Sequence, residues 1–510
     1  MSKASRVIKN TGFLYAKMCI TVIISLYTTR LILSALGASD FGIYSVVGGA
    51  IAMMGFLNST MANATQRFMS FSLGGGDIED GKRVFNICLV LQLAIALATI
   101  LLLFMVMLPL FGGILNLPED RVPSAKIVYL CLIFSTFLTI INVPYDAVIT
   151  AHENMLYYSI VGVLESVLKL GVAFLCVYST RDRLVLYGIL MACIPLITLS
   201  IMKVYCHRHY AECVIAPCRY WDSKKAREIL SFSGWNFLTA ISSLFTAQGI
   251  GLVLNHFWGT LLNAAQGVAN QVNGYMSMFS QQLKKAINPV IVKDAGAGDF
   301  ESMNSVTIAG CKYTTLLILL FAVPCILEMP YILHVWLKEV PEWTVLFCTL
   351  QLVHTVVSQM TTSAATAIYA QGNIKNYAIY KSIMNAAPVF VTWICFELGC
   401  GPAWLYIPMI LIWGIGGDIV VVRYAGKYCG LTVPLFLRGV LLPVFIVAVC
   451  MVSLGLLPSL LLEQGVLRLL LCGVCTTLGL LSGLYLFGMD SGERKVVMKA
   501  VMSKLHRASI

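Results

Sequence analysis

The sequence predicts an all-α integral membrane protein with about fourteen transmembrane helices: two parallel six-helix lobes followed by two further helices. Three observations carry that expectation. Hydrophobic residues make up 59% of the 510 and charged residues only 12%, with a mean hydropathy of +0.84, whereas soluble domains carry about 25% charged residues. The apolar residues fall in runs of about 20, the length that crosses a bilayer as a helix. The cations concentrate in alternate loops. Too little polar surface remains to coat a water-soluble globule, and in lipid the backbone groups must be satisfied within helices.

In chain order the spans are 11–36, 41–66, 84–110, 126–151, 155–179, 183–206, 229–254, 259–283, 309–333, 342–370, 376–398, 402–424, 433–457 and 465–488. The first follows Lys3, Arg6 and Lys9 and could pass for a signal peptide. It contains Lys17 and Arg30 and runs past the ~7–15 uncharged residues of a signal core, so it reads as a retained helix. With this count about 26 Lys and Arg fall on the side of the N-terminus and about 6 on the other, the asymmetry that marks the cytoplasmic face. A missed helix would invert every later loop and spoil it. Both termini are therefore expected in the cytoplasm. The tail Ser491–Ile510 is basic, with Val496, Val497, Ala500, Val501 and Leu505 at helical spacing. It reads either as a helix on the inner membrane surface or as a disordered basic tail.

The net charge of +11 does not point to nucleic acid, because the cations sit in short loops and not in one basic patch. Most of the 17 cysteines, such as Cys88, Cys348 and Cys472, lie in apolar runs and read as small hydrophobes. Cys206, His207, His209, Cys213 and Cys218 fit no zinc spacing, so no metal is expected. Gly76 to Arg83 nearly reads as a phosphate loop, but Arg83 stands where a Ser or Thr would hold Mg²⁺. No ATP site and no other cofactor is expected.

The second half resembles the first. Thr11-Gly12-Phe13 matches Ser233-Gly234-Trp235, and Leu73-Gly74-Gly75-Gly76-Asp77 matches Ala295-Gly296-Ala297-Gly298-Asp299, both displaced by 222 residues. Ala151-His152-Glu153-Asn154 matches Ala370-Gln371-Gly372-Asn373, displaced by 219. Six helices per repeat give both copies one orientation, a common transporter layout. The domains expected are 1–206, a linker 207–228, 229–428, helices 13 and 14 over 429–488, and the tail 489–510.

Polar residues inside the spans are the candidates for function. The eighth span carries Asn263, Gln266, Asn270, Asn273, Ser277, Gln281, Lys284 and Asn288 at spacings of three or four, hence on one face. Such a stripe cannot face lipid, where each unpaired group costs several kcal/mol. It faces a hydrated cavity or packs on other helices. The corresponding face of the second span holds Tyr44, Gly48, Gly55, Ser59, Asn63 and Gln66, and the seventh span adds Asn236, Thr239, Ser243 and Thr246. In the first span Lys17 shares a face with Thr21, Ser25 and Thr28, and Arg30 lies on another. Cations lining a cavity imply an anionic group such as phosphate; snorkelling to the interface is the alternative for both. Glu165 and Lys169, four apart, read as a structural pair. Asp146 and Asp418 are candidates for a coupling ion, with capping or packing as the alternative.

Asn10-Thr11, Ser25 to Arg30, Leu36-Gly37, Asp40 to Tyr44, Val47-Gly48-Gly49, Asn63 to Phe68 and Gly76-Asp77 resemble bacterial polysaccharide flippases of the MATE-like exporter superfamily, the type that exports O-antigen and capsule repeat units. Tyr369 to Asn373 resembles them too. The resemblance implies two lobes around a cationic cavity that opens alternately to either side. It implies a polyprenyl-pyrophosphate-linked oligosaccharide as substrate, the bacterial inner membrane as location, and a polysaccharide polymerase and chain-length machinery as partners. Lys17, Arg30 and Lys284 are the cations it points to. A multidrug antiporter of the same superfamily would want an acidic cavity. A membrane glycan polymerase or ligase would want large external loops with catalytic residues.

Overall fold

The computed structural model describes residues 3–489 except 53–54, 115–117, 181 and 338. The basic tail, Arg181 and Lys338 lie outside the described residues. All regular structure among the described residues is helical. Among the described residues, twelve helices are long and apolar enough to cross a membrane. The helical stretches after Gly37 and after Gly259 are not among these twelve. They correspond to the second and eighth spans, and the polar stripe after Gly259 lowers the hydropathy of the eighth.

The first lobe is built from α1 (Lys3–Ala52), α2 (Gly55–Gly75), α3 (Ile78–Pro109), α4 (Val122–Ala151), α5 (Met155–Tyr178) and α6 (Arg183–His209). Then α7 runs over Ser223–Gly296, so the seventh and eighth spans are one helical stretch that continues well past the expected end at 283. Two breaks account for the separate spans that the sequence predicts. Gly37 (φ 77) interrupts α1 and Gly259 (φ 74) interrupts α7. Both lie in the left-handed region that a side chain disfavours, and they are 222 residues apart, the displacement of the repeat. Gly76 and Gly298, at φ 73 each, repeat the relationship at the far ends.

Side chains cap the helices where the chain leaves them. Asp77 accepts from the backbone N–H of Glu79 and Asp80 at the start of α3, so the loop that mimics a phosphate site uses its carboxylate as an ordinary N-cap. Asn154 caps α5, and Asp182 caps α6 while accepting from Ser124 at 2.8 Å.

The described chain forms two compact units. The first holds the residues up to Ala240 together with Asn288–Asp299; the second holds Ile241–Ile287 and the chain from Phe300 onward. In the first, Tyr129, Val128, Leu103 and Val47 form an apolar core, and the buried Tyr129 hydroxyl donates to the Leu103 carbonyl at 2.7 Å. In the second, α8 (Phe300–Leu327), α9 (Thr344–Ala370), α10 (Lys375–Glu397) and α11 (Pro402–Cys429) pack around Phe347, Leu352, Tyr406 and Ile318. The last two helices, α12 (Val433–Leu461) and α13 (Val466–Gly488), join this unit. A Cβ on Gly479 would meet the backbone of Met451 at 2.8 Å, so glycine is what lets α13 approach α12. Arg468 and the fully buried Glu328, 2.8 Å apart, anchor the start of α13.

Candidate functional site

The polar stripe of α7 meets a second polar stripe inside the second unit. Gln266, Asn270, Asn273 and Ser277 face Gln351, His354, Thr355, Ser358 and Gln359 of α9 across a cavity of about 230 Å³, closed by Met409 and Trp413 of α11 and by Thr246. The α9 residues recur at spacings of three, one, three and one, which places them on one helix face. The same test that marked the eighth span finds them.

Hydrogen bonds fix this lining. Thr355 Oγ1 donates to Asn273 Oδ1 at 2.7 Å. Ser358 donates to the His354 carbonyl at 2.8 Å, and the His354 ring meets Trp413 edge-on with centroids 5.2 Å apart. Thr246 donates to the Asn385 carbonyl, and Asn385 Nδ2 to Ser243 Oγ at 2.9 Å. Gln359 is only 8% exposed, and its Oε1 has no hydrogen-bond donor among the described residues. An orphan buried acceptor in a polar cavity costs free energy that a donor on a ligand would recover.

Two helix irregularities converge here. The backbone of α9 breaks between Thr344–Gln359 and Thr362–Ala370, and the Thr361 hydroxyl at that break donates to the Asp418 carboxylate. In α11 a π-helical stretch over Met409–Gly416 presents both Met409 and Trp413. Broken and π-wound helices inside a membrane are tolerated where they line a cavity and are frequent at functional sites. By sequence Lys381 counts with the cytoplasmic loop cations, being near the start of the expected span 376–398; it sits within α10, which starts at Lys375. Its ammonium packs on Gly417, one residue from Asp418.

The residues singled out from sequence distribute as follows. Asn270 lines the cavity with its stripe neighbours; Gln281 and the half-buried Lys284 lie further along α7, outside the lining. In the first unit, Lys17 is half-buried, with its ammonium 4.1 Å from the centre of the Tyr158 ring and its stem on Gly162. It is directed at α5, and the cation–π contact holds it there. Thr21 and Thr28 turn their hydroxyls onto the carbonyls of Met18 and Ile24. Ser25 and Arg30 are exposed, as is Asn63 of α2; Gln66 and Asn236 are half-buried. Asp146 is half-buried in α4. Glu165 and Lys169 pair at 2.7 Å on α5.

Residues 14–175 match the MatE family model. No curated protein matches the chain. Among solved structures, the chain is similar to a multidrug resistance MATE family transporter of the MOP superfamily in its outward-facing conformation, at TM-score 0.69 and 14% identity over 84% of this chain and 97% of that one. It is similar to a MATE described in the bent conformation, at 0.68 and 14% identity, covering 84% of this chain and 96% of that one. For a mutant of the Vibrio cholerae MATE transporter VcmN the TM-score is 0.63 and the identity 16%, covering 84% of this chain and 96% of that one. The chain is a multi-pass membrane protein with the MATE-transporter fold.

Proposed function

We propose that the protein is a transporter that flips a polyprenyl-pyrophosphate-linked oligosaccharide from the inner to the outer leaflet of a bacterial inner membrane by alternating access, for surface polysaccharide assembly. The chemistry of the cavity lining carries this reading. Five amides, four hydroxyl side chains of Ser and Thr from α7 and α9, one imidazole and one indole line it, with no carboxylate among the lining residues. Amides and hydroxyls both donate and accept, which suits sugar hydroxyls, and an indole offers an apolar face to a sugar ring. The cavity is smaller than the ~300–1,000 Å³ of a whole small-molecule site, so it would hold one part of a larger substrate.

The physical need is clear. A pyrophosphate and several sugars cannot cross hydrocarbon unaided, because losing their hydration costs far more than thermal energy. A polar lining replaces that hydration; the cations singled out from the sequence, Lys17, Arg30 and Lys284, lie outside this lining and are each a candidate partner for a phosphate. The prenyl tail stays in the bilayer. No covalent bond changes, so no catalytic group is required.

A second reading is a multidrug or small-molecule antiporter; one structural neighbour is described as a multidrug resistance MATE family transporter. Asp418, hydrogen-bonded to Thr361 beside the α9 break, is the observation that favours it. The experiment that separates them uses a deletion strain. Lipid-linked repeat units that accumulate on the cytoplasmic face, with surface glycan lost, restored by wild type and not by Lys17→Ala, support the flippase. Units on the outer face, or drug sensitivity with intact surface glycan, reject it.

A further inference from the structure

A second cavity, separate from the polar one, opens between the start of α8 and the last two helices. It measures about 670 Å³, within the range of a small-molecule site. Its deep end holds Lys312, 4% exposed, whose ammonium donates to the carbonyl of Gly488 at 2.9 Å. Its rim holds the exposed Arg438. The floor is fixed by two contacts: Asn304 Nδ2 donates to the Cys429 carbonyl at 2.9 Å, and Gly439 lies so close to Ile308 that a Cβ there would stand 2.8 Å from its side chain. The remaining wall is apolar, formed by Leu442, Ile446 and Phe487. Among the described residues of the lining, Arg438 and Lys312 are the cations and Glu301 is the single carboxylate.

We infer that this cavity binds an anionic phospholipid of the inner leaflet, its phosphate diester between Arg438 and Lys312 and one acyl chain along Leu442, Ile446 and Phe487. Charge and shape decide the occupant together. A free phosphate would use the cations and leave the apolar wall without purpose. A zwitterionic lipid would bring its own ammonium against Arg438. The loops that flank this cavity lie on the side where Lys and Arg accumulate, the cytoplasmic side by the positive-inside rule, and basic pockets between helices on that side suit anionic headgroups. Arg presents a fork of donors to a phosphate and stays charged. The site is distinct from the polar cavity and does not depend on what that cavity transports.

The test is thermal denaturation of the full-length protein in detergent with dioleoyl phosphatidylglycerol, dioleoyl phosphatidylcholine or inorganic phosphate added. The expected result is a midpoint raised by several degrees by phosphatidylglycerol alone. Arg438→Gln should remove at least half of that shift. Ile446→Trp, which fills the apolar wall and leaves both cations in place, should remove it as well, with an unchanged midpoint in phosphatidylcholine. Equal shifts from both lipids, a shift reproduced by inorganic phosphate, or a full shift retained in both variants overturns the proposal. If Arg438→Gln does not fold, the Ile446→Trp comparison decides alone.

Discussion

Arg6 Nε lies 2.8 Å from Glu153 Oε2, and Lys293 Nζ lies 3.2 Å from the other carboxylate oxygen. One carboxylate, 1% exposed, thus draws together the start of α1, the α4–α5 turn and the end of α7. Lys3 adds a second tie at 2.8 Å from Asp294. Glu153 holds this position in the left-handed region, at φ 58, which costs a non-glycine residue about 1 kcal/mol.

Glu153→Gln keeps the shape and removes the charge that two cations share. Breaking a buried pair costs about 3–5 kcal/mol, and the exposure of Arg6 discounts that to roughly 2 kcal/mol. Glu153→Gly loses the same pair and relieves the backbone, so its denaturation midpoint should lie above that of Glu153→Gln. If the Gly variant is the less stable of the two, the strain argument fails.

Gly74 and Gly296 make a reciprocal contact. A Cβ on Gly74 would collide with the backbone of Lys293, and one on Gly296 with the backbone of Phe71; each pair is displaced by 222 from the other. Backbone atoms cannot rotate away as a flexible side chain can. Gly74→Ala should destabilise by about 2 kcal/mol or more, as overpacking does. Gly75→Ala, whose Cβ would sit 3.5 Å from its nearest neighbour, should change stability by less than about 0.5 kcal/mol. Thermal denaturation of both variants checks the contrast.

In the polar cavity, Asn273→Leu removes one of the two acceptors of the Thr355 hydroxyl and an amide from the lining. Surface glycan in a complemented deletion strain should fall about tenfold at unchanged protein level, since one lost polar contact is worth about 1.4 kcal/mol. Trp413→Ala should have a comparable effect and Trp413→Phe a smaller one. Wild-type glycan in Asn273→Leu would remove this cavity from the transport path.

Outside the spans, Glu212 pairs with the imidazole of His152, and His152 stacks on Tyr210 with centroids 4.1 Å apart. Burial works to raise the Glu212 carboxyl. The hydrogen bond from His152, a backbone N–H and the His152 charge outweigh it and hold the group below its ordinary value of 4.5. A carboxyl depressed in the folded state contributes stability that is present above that value and lost as pH falls through the folded value. The midpoint of wild type should therefore drop on acidification below about pH 4.5 more steeply than that of Glu212→Gln, measured in detergent from pH 7 to 3.

How far the chain can be read from its letters depends on the residue. The α7 stripe is legible because Gln266, Asn270, Asn273 and Ser277 interrupt an otherwise apolar run at helical spacing. Its partner stripe, Gln351 to Gln359, obeys the same spacing, yet it lies in a span recognised by its overall apolarity. Lys381 reads as a loop cation because charge near a span end is the ordinary sign of an interface, and the inward turn of its side chain onto Gly417 is not visible in hydropathy. The match of Gly74 with Gly296 is visible as a repeat. That each glycine seats the other copy's backbone is not, since a close approach leaves no trace in composition. Lys17 stands out as a cation inside a span, while its Tyr158 partner, 141 residues away, depends on tertiary packing.

Glu153 and Gly372 stand at matched places in the two repeats, and both have positive φ, 58 and 86. The same bend is met in two ways: Gly372 adopts it with no Cβ to oppose it, whereas Glu153 accepts the strain and uses its carboxylate to tie three segments of its own unit together.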